Sequence, residues 1–273
     1  MRWQELLLMG VDGLRVHRLR SVLTMLGIIF GVAAVIAMLS IGEGAKREAL
    51  AKYKMLGVNN IIIRDKSLSE QELEQVRAKF SRGLSRKDAE AIEKIVPTVG
   101  LVAPQSELSL EAQFEDKSTA ATIVGVTNEF DKILNYKPTK GQFLSSDHHS
   151  RQLRVCVLGS EVTQKLFPIE DPIGKRVKLG DVWFQVIGAM EPKSLFTETV
   201  GELASRNLNQ DIYIPLSAFL SRYTKDEVLA SEIDQLTIRI DESSKLVESA
   251  AVIRRIMDRR HKGNDDFEVV IPF

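Results

Sequence analysis

The chain has 273 residues, and its 37 Lys and Arg are balanced by 37 Asp and Glu, for a formal net charge of zero. That balance excludes nucleic-acid binding through bulk charge, because counterion release needs a surplus of clustered cations. A 44% share of hydrophobic residues with 27% charged excludes a disordered or collagen-like chain, and a single cysteine, Cys156, excludes an intrachain disulfide framework.

Residues 1–20 place Trp3, Leu6, Leu7, Val11 and Leu14 at helical spacing beside Arg2, Arg15 and Arg18. The pattern predicts an amphipathic helix in the cytoplasmic membrane surface; the alternative is a plain extension of the next helix, with Gly10 and Gly13 favouring a bend. Residues 21–42 then carry no charge at all. About 20 apolar residues rising about 1.5 Å each cross a bilayer core, so 21–42 reads as a transmembrane helix, the alternative being a signal peptide cleaved near Gly42-Glu43-Gly44. Arg15, His17, Arg18 and Arg20 precede the run without an acid nearby, whereas Lys46 and Arg47 alternate with Glu43 and Glu48. The positive-inside rule therefore predicts a cytoplasmic N-terminus and an exported remainder. Within the span, Gly27 and Gly31 form a GxxxG, continued by Ala34 and Ala37, a small-residue stripe on which a second helix could pack.

Beyond the span the helix is expected to run to Gly57, followed by a strand at NNIIIR. Two capping boxes, Ser69 to Glu72 and Ser85 to Asp88, announce two helices, the second ended by Pro97. Leu108, Leu110, Ala112 and Phe114 alternate with polar residues and, across the EDKS turn, predict a hairpin returning through Thr119 to Val126. A strand at Arg154 to Leu158, a helix capped by Ser160, and a second hairpin turning at Gly180-Asp181 follow. Lys193 to Asn209 has few apolar anchors and reads as a mobile loop. After a strand at Asp211 to Ile214, the alternation of Leu236, Ile238 and Ile240, the helical spacing of Leu246, Ala250, Ile253 and Met257, and a last strand at Phe267 to Ile271 form a βαβ unit mirroring the one near the start. The fold class is therefore α+β: a membrane-spanning helix, a discontinuous sub-domain over 43–112 and 230–273, and an inserted, mainly β sub-domain over 113–229.

Neither a phosphate-binding loop, nor GxSxG, HExxH or CxxC occurs, so no catalytic, cofactor-binding or metal-binding residue is assigned and no ATP hydrolysis by this chain is expected. Asp147, His148 and His149 read as a solvated loop rather than a metal site. His261 sits in the basic stretch RRHK, where its charge complements a helix C-terminus. Cys156, between two valines on a strand, reads as a buried, inert thiol.

The string LRSVLTMLGIIFGVAAVIAMLSIGEGAK, with VGVTNEFDKI, VCVLGSEVTQKLFPIEDPIGKRVKLGDVWFQVIGAMEPK, DIYIPLSAF and MDRRHKGNDDFEV after it, resembles MacB-type ABC transporter permeases, in the family's order and over nearly the whole chain. The resemblance implies a bacterial inner-membrane protein whose large domain is periplasmic, working as a dimer with an ATPase subunit, and possible contacts with a periplasmic adaptor, an outer-membrane exit channel and membrane lipid. It implies that substrate does not pass through the membrane helices, and that ATP-driven helix motions move the periplasmic domain. Three further membrane helices would be expected after Phe273, and the ATPase is expected to act in trans. Two other readings stay open: an FtsX-like or lipoprotein-extracting permease, and a membrane-anchored enzyme. The inserted sub-domain, with its 193–209 loop, is expected to present partner-binding loops.

Overall fold

The computed structural model describes residues 18–55, 59–66, 83–193, 207–224, 231–264 and 266–271, with side chains of the first segment to Lys46. The expected surface helix before Arg18, the capping box at Ser69 and most of the 193–209 loop lie outside the described residues. The chain divides into two compact units, 1–54 and 55–273.

The first unit is dominated by helix α1, Arg18–Met55, a single run of 38 residues. Over Arg18–Lys46, 29 residues, it is long and apolar enough to cross a membrane, and none of that surface is buried. At about 1.5 Å per residue the apolar part is about 43 Å long. Ile28, Phe30 and Met38 are among the large apolar side chains left exposed. Thr24 returns its hydroxyl to the carbonyls of Arg20 and Ser21, both at 3.0 Å, which satisfies a polar group without breaking the helix.

Among the described residues the second unit is built on ten strands in one continuous sheet: β1 (Asn60–Asp65), β2 (Val99–Phe114), β3 (Lys117–Val126), β4 (Pro138–Gly141), β5 (Val155–Leu158), β6 (Arg176–Leu179), β7 (Val182–Met190), β8 (Asp211–Pro215), β9 (Gln235–Ile240) and β10 (Phe267–Val270). Its helices are α2 (Arg86–Ile95), α3 (Phe130–Leu134), α4 (Ser146–Ser150), α5 (Ser160–Leu166), α6 (Leu216–Arg222) and α7 (Leu246–Arg260).

At one end the order is β10-β1-β9-β2, with β9 antiparallel to both β1 and β2 and β10 antiparallel to β1. The two expected βαβ units thus interlock: β9 lies between β1 and β2, and β1 between β9 and β10, as in the split βαβ arrangement. Ile61, Ile63, Leu236 and Ile238 face α2 and α7, meeting Ile92, Ile253 and Met257 in one core. Alternation dictates this: the odd residues of β1 are driven inward by apolar burial, and the even ones must face the other way.

At the other end the pairings return on themselves. β2 pairs β3, β3 pairs β8, β8 pairs β5, β5 pairs β7, β7 pairs β6, and β6 pairs β2 through Ala112↔Leu179 and Gln113↔Lys178. The ring encloses Ile123, Cys156, Leu158, Phe184, Val186 and Ile212. A second core on its outer side gathers Val124, Val157 and Tyr213 under α3. Strand β2 serves both halves, and Gln105 stands where its partners change, opposite Gln235 on β9 and Val126 on β3.

Among the described residues, the expected elements from Asn60 onward appear at their places, with local differences. The helix expected to be capped by Ser160 is capped by Gly159, because Ser160 gives its hydroxyl to Asn209 Oδ1 at 2.9 Å instead. Helices α3, α4 and α6 and strand β4 have no counterpart in the sequence reading; each is four to seven residues long, shorter than the periods that announce them.

Candidate functional site

On α1, Gly27, Gly31 and Ala34 follow one another at spacings of four and three, which aligns them on one face. A Cβ placed at Gly27 or Gly31 would meet nothing within 4 Å, and all three positions are exposed.

A cleft of about 480 Å³ lies over the face of β1 and β9 opposite α2 and α7. Its floor is made by the residues that alternation turns away from α2 and α7: Asn60, Ile62 and Arg64 from β1, and Gln235 and Thr237 from β9. Gln105 from β2 adjoins them, while Phe130 and Leu134 of α3 wall it. Gln105 and Gln235 both donate an Nε2 hydrogen to the Thr237 hydroxyl, at 2.7 and 3.2 Å. Asn60, 2% exposed, donates Nδ2 to the Ile133 carbonyl at 3.4 Å, and its Oδ1 is buried without a partner. The buried Nε of Arg64 is likewise unpartnered. The hydrophobic pattern of 60–65 reads as a strand but says nothing of the cleft, because the roof comes from α3 and the start of β8, distant in sequence.

A second polar cluster is centred on the buried Asp88, His261 and Asp266. Asp88 Oδ2 accepts from the backbone N–H and hydroxyl of Ser85 at 2.9 and 2.6 Å, and Oδ1 accepts from Arg260. His261 places Nε2 3.6 Å from Asp88 and Nδ1 2.9 Å from Asp266. Burial alone would lower the imidazole pKa, but the two carboxylates outweigh it and raise it to about 9. Burial likewise works against the Asp88 carboxylate, and its bonds from His261, Ser85 and Arg260 hold it well below the usual carboxylate range. The cluster ties the start of α2 to the end of α7 and the approach to β10. The RRHK stretch therefore does more than complement a helix dipole: His261 is a buried cation between two acids.

Other singled-out residues fall elsewhere. Cys156 is fully buried, and burial pushes its thiol far above its ordinary pKa. His148 Nδ1 accepts from the Ser145 N–H at 3.1 Å, closing the start of α4. Among the described residues no group of three His, Cys, Asp or Glu is arranged to hold a metal ion. The ends of the 193–209 stretch are clasped: Lys193 N–H donates to Asn209 Oδ1 at 2.8 Å, and Asn209 Nδ2 returns a bond to the Lys193 carbonyl at 2.7 Å.

The chain thus joins an apolar helix long enough to span a bilayer to an α+β unit in which a split βαβ sheet continues into a closed ring of strands. The chain belongs to the MacB-like periplasmic core domain family, whose profile matches residues 21–256. It is 31% identical over 268 residues to a macrolide export ATP-binding/permease protein MacB of Shewanella sp. (strain W3-18-1), covering 97% of this chain and 38% of that protein. It is 29% identical to a pyoverdine export ATP-binding/permease protein PvdT of Pseudomonas savastanoi pv. phaseolicola, covering 93% and 36%. The chain thus spans less than two fifths of the length of these relatives. Among solved structures, the periplasmic region of MacB from Actinobacillus actinomycetemcomitans superposes with a TM-score of 0.61 at 21% identity, covering 80% of this chain and 91% of that one. The extracellular domain of the transporter YknZ from Gram-positive bacteria gives 0.60 at 16% identity, covering 78% and 100%. These two likenesses concern the fold.

Proposed function

We propose that this chain supplies the first membrane helix and the exported domain of an ABC-type export permease, coupling ATP hydrolysis in a partner ATPase subunit to motion of that domain. The observation that carries the reading is the extent of the family match, which runs without a break from the apolar helix through the folded unit to residue 256. The names of the relatives, which join ATP-binding and permease functions, support an ATPase partner. The orientation in the bacterial inner membrane follows the charge asymmetry around 21–42, with residues 1–20 cytoplasmic and the main domain periplasmic. A second permease protomer would pack on Gly27, Gly31 and Ala34, and a periplasmic adaptor leading to an outer-membrane exit channel would dock on the inserted sub-domain.

The division into 43–112 with 230–273 and an inserted 113–229 is part of the same proposal. It is supported by the separate cores: one gathers chiefly residues of β1, α2, β9 and α7, and the other two gather residues of the strand ring and its outer face.

The test is co-reconstitution of the chain with its ATPase in nanodiscs, with spin labels at the exposed position Ser118 of two protomers. An ATP-dependent change in the label distance is the expected result. Unchanged distances through the ATP and vanadate-trapped states, or stoichiometric ATP binding by the chain alone, would overturn the division of labour. Capture of a cell-wall hydrolase in place of an adaptor would move the reading to an FtsX-like permease.

A further inference from the structure

We infer that the cleft over β1 and β9 binds a small uncharged polyhydroxylated ligand, a mono- or disaccharide in chemical class. Buried polar groups are almost always hydrogen-bonded, so two unpartnered atoms on one strand face call for an external partner. Asn60 Oδ1 needs a donor and Arg64 Nε needs an acceptor. The amide of Asn60 is oriented by its bond to the Ile133 carbonyl, so turning it over would set two oxygens against each other and would not relieve the defect. Both side chains emerge from the same face of β1, four residues and about 13 Å apart, with Thr237 and Gln235 directly opposite Ile62 and Arg64. The Thr237 oxygen already accepts from both glutamines, which leaves its own hydrogen for a further acceptor.

Charge narrows the class. Asp65, Glu107, Asp211 and Asp234 also line the cleft, which opposes an anion. The acids do not converge as metal ligands do. A hydroxyl both donates and accepts, so a polyol meets Asn60, Arg64 and Thr237 together without bringing charge, and its C–H surfaces suit Ile62, Phe130 and Leu134. The volume of about 480 Å³ lies within the range of small-ligand pockets.

The test uses the full chain in lipid nanodiscs, free of sugar-headed detergent, with saturation-transfer NMR on maltose and on N,N′-diacetylchitobiose. Transfer to ring protons of at least one saccharide is expected, with binding weakened about fivefold by Asn60→Leu and by Gln235→Leu. Asn60→Leu removes a buried unpaired oxygen together with the bond to the Ile133 carbonyl, so melting temperature and near-ultraviolet circular dichroism check the fold and packing of both variants. No transfer from either saccharide, equal transfer in both folded variants, or transfer only to gluconate or spermidine overturns the assignment.

Discussion

His261 Nδ1 lies 2.9 Å from Asp266 Oδ1, with both residues at least 95% buried, and the same imidazole faces Asp88 across its other nitrogen. The contact joins two segments of the chain end to helix α2. It makes the stability of that unit dependent on one proton.

Because the folded pKa of His261 is raised to about 9 above an unfolded value near 6.5, its contribution is fully present below about pH 6.5 and is lost as pH rises through about 9. The change is on the order of 3 kcal/mol. Chemical-denaturation midpoints should fall between pH 7 and pH 9.5 in the native chain, and that fall should be much flatter in His261→Gln. A parallel slope in the variant would show that another group titrates. Asp88→Ala should cost about 3–5 kcal/mol at neutral pH, since it leaves His261 and Arg260 without their shared acid and the N-cap Ser85 without the acceptor of its backbone N–H.

The buried thiol provides a test of topology. Cys156 has no exposed surface and its pKa is pushed up by burial, so the folded native chain should resist thiol reagents and react only in denaturant. The native residue therefore needs no replacement when single cysteines are placed at Ser21 and Ser118. A membrane-impermeant reagent on intact cells should label Ser118→Cys alone; labelling at Ser21→Cys alone would reverse the proposed orientation.

Gly159 stands where β5 passes into α5, donating its N–H to the Asp211 carbonyl at 2.8 Å. A Cβ there would meet the Asn209 and Asp211 carbonyl oxygens at 2.5 and 2.8 Å. Neither is a side-chain end that can swing away. Gly159→Ala should lower stability by about 1–3 kcal/mol, read as a reduced urea midpoint with unchanged slope.

If Gly27 and Gly31 face a second helix, Gly31→Leu should separate the pair and weaken association about tenfold, since helix contact in lipid depends on close packing of small residues. Cross-linking of the chain in membranes measures it. Equal cross-linking would place both glycines toward lipid.

The bonds between Lys193 and Asn209 close the base of the segment between them, so replacing 194–206 by a short Gly-Ser linker should leave the unfolding midpoint within about 0.5 kcal/mol of the native chain. If that segment carries the proposed adaptor contact, capture of the adaptor should fall while the fold is retained. Full capture by the shortened chain would remove the loop from the interface.

Local chemistry determined a large part of this protein. In lipid an uncharged run such as 21–42 must satisfy its backbone hydrogen bonds internally, which a helix does. The alternation in β1, β2 and β9 names which side chains must be buried, and the Ser85–Asp88 box and Pro97 bracket α2, because caps and periods act over a few residues. Tertiary structure decided the rest. That β9 inserts between β1 and β2, that β6 returns to close the ring on β2, and that His261 meets Asp88 are contacts between segments far apart in sequence. The cleft belongs to this second group: Asn60 and Arg64 read as the polar side of an ordinary strand, and it is the tertiary surroundings that bury Asn60 and the Arg64 Nε and leave Asn60 Oδ1 and that Nε without partners.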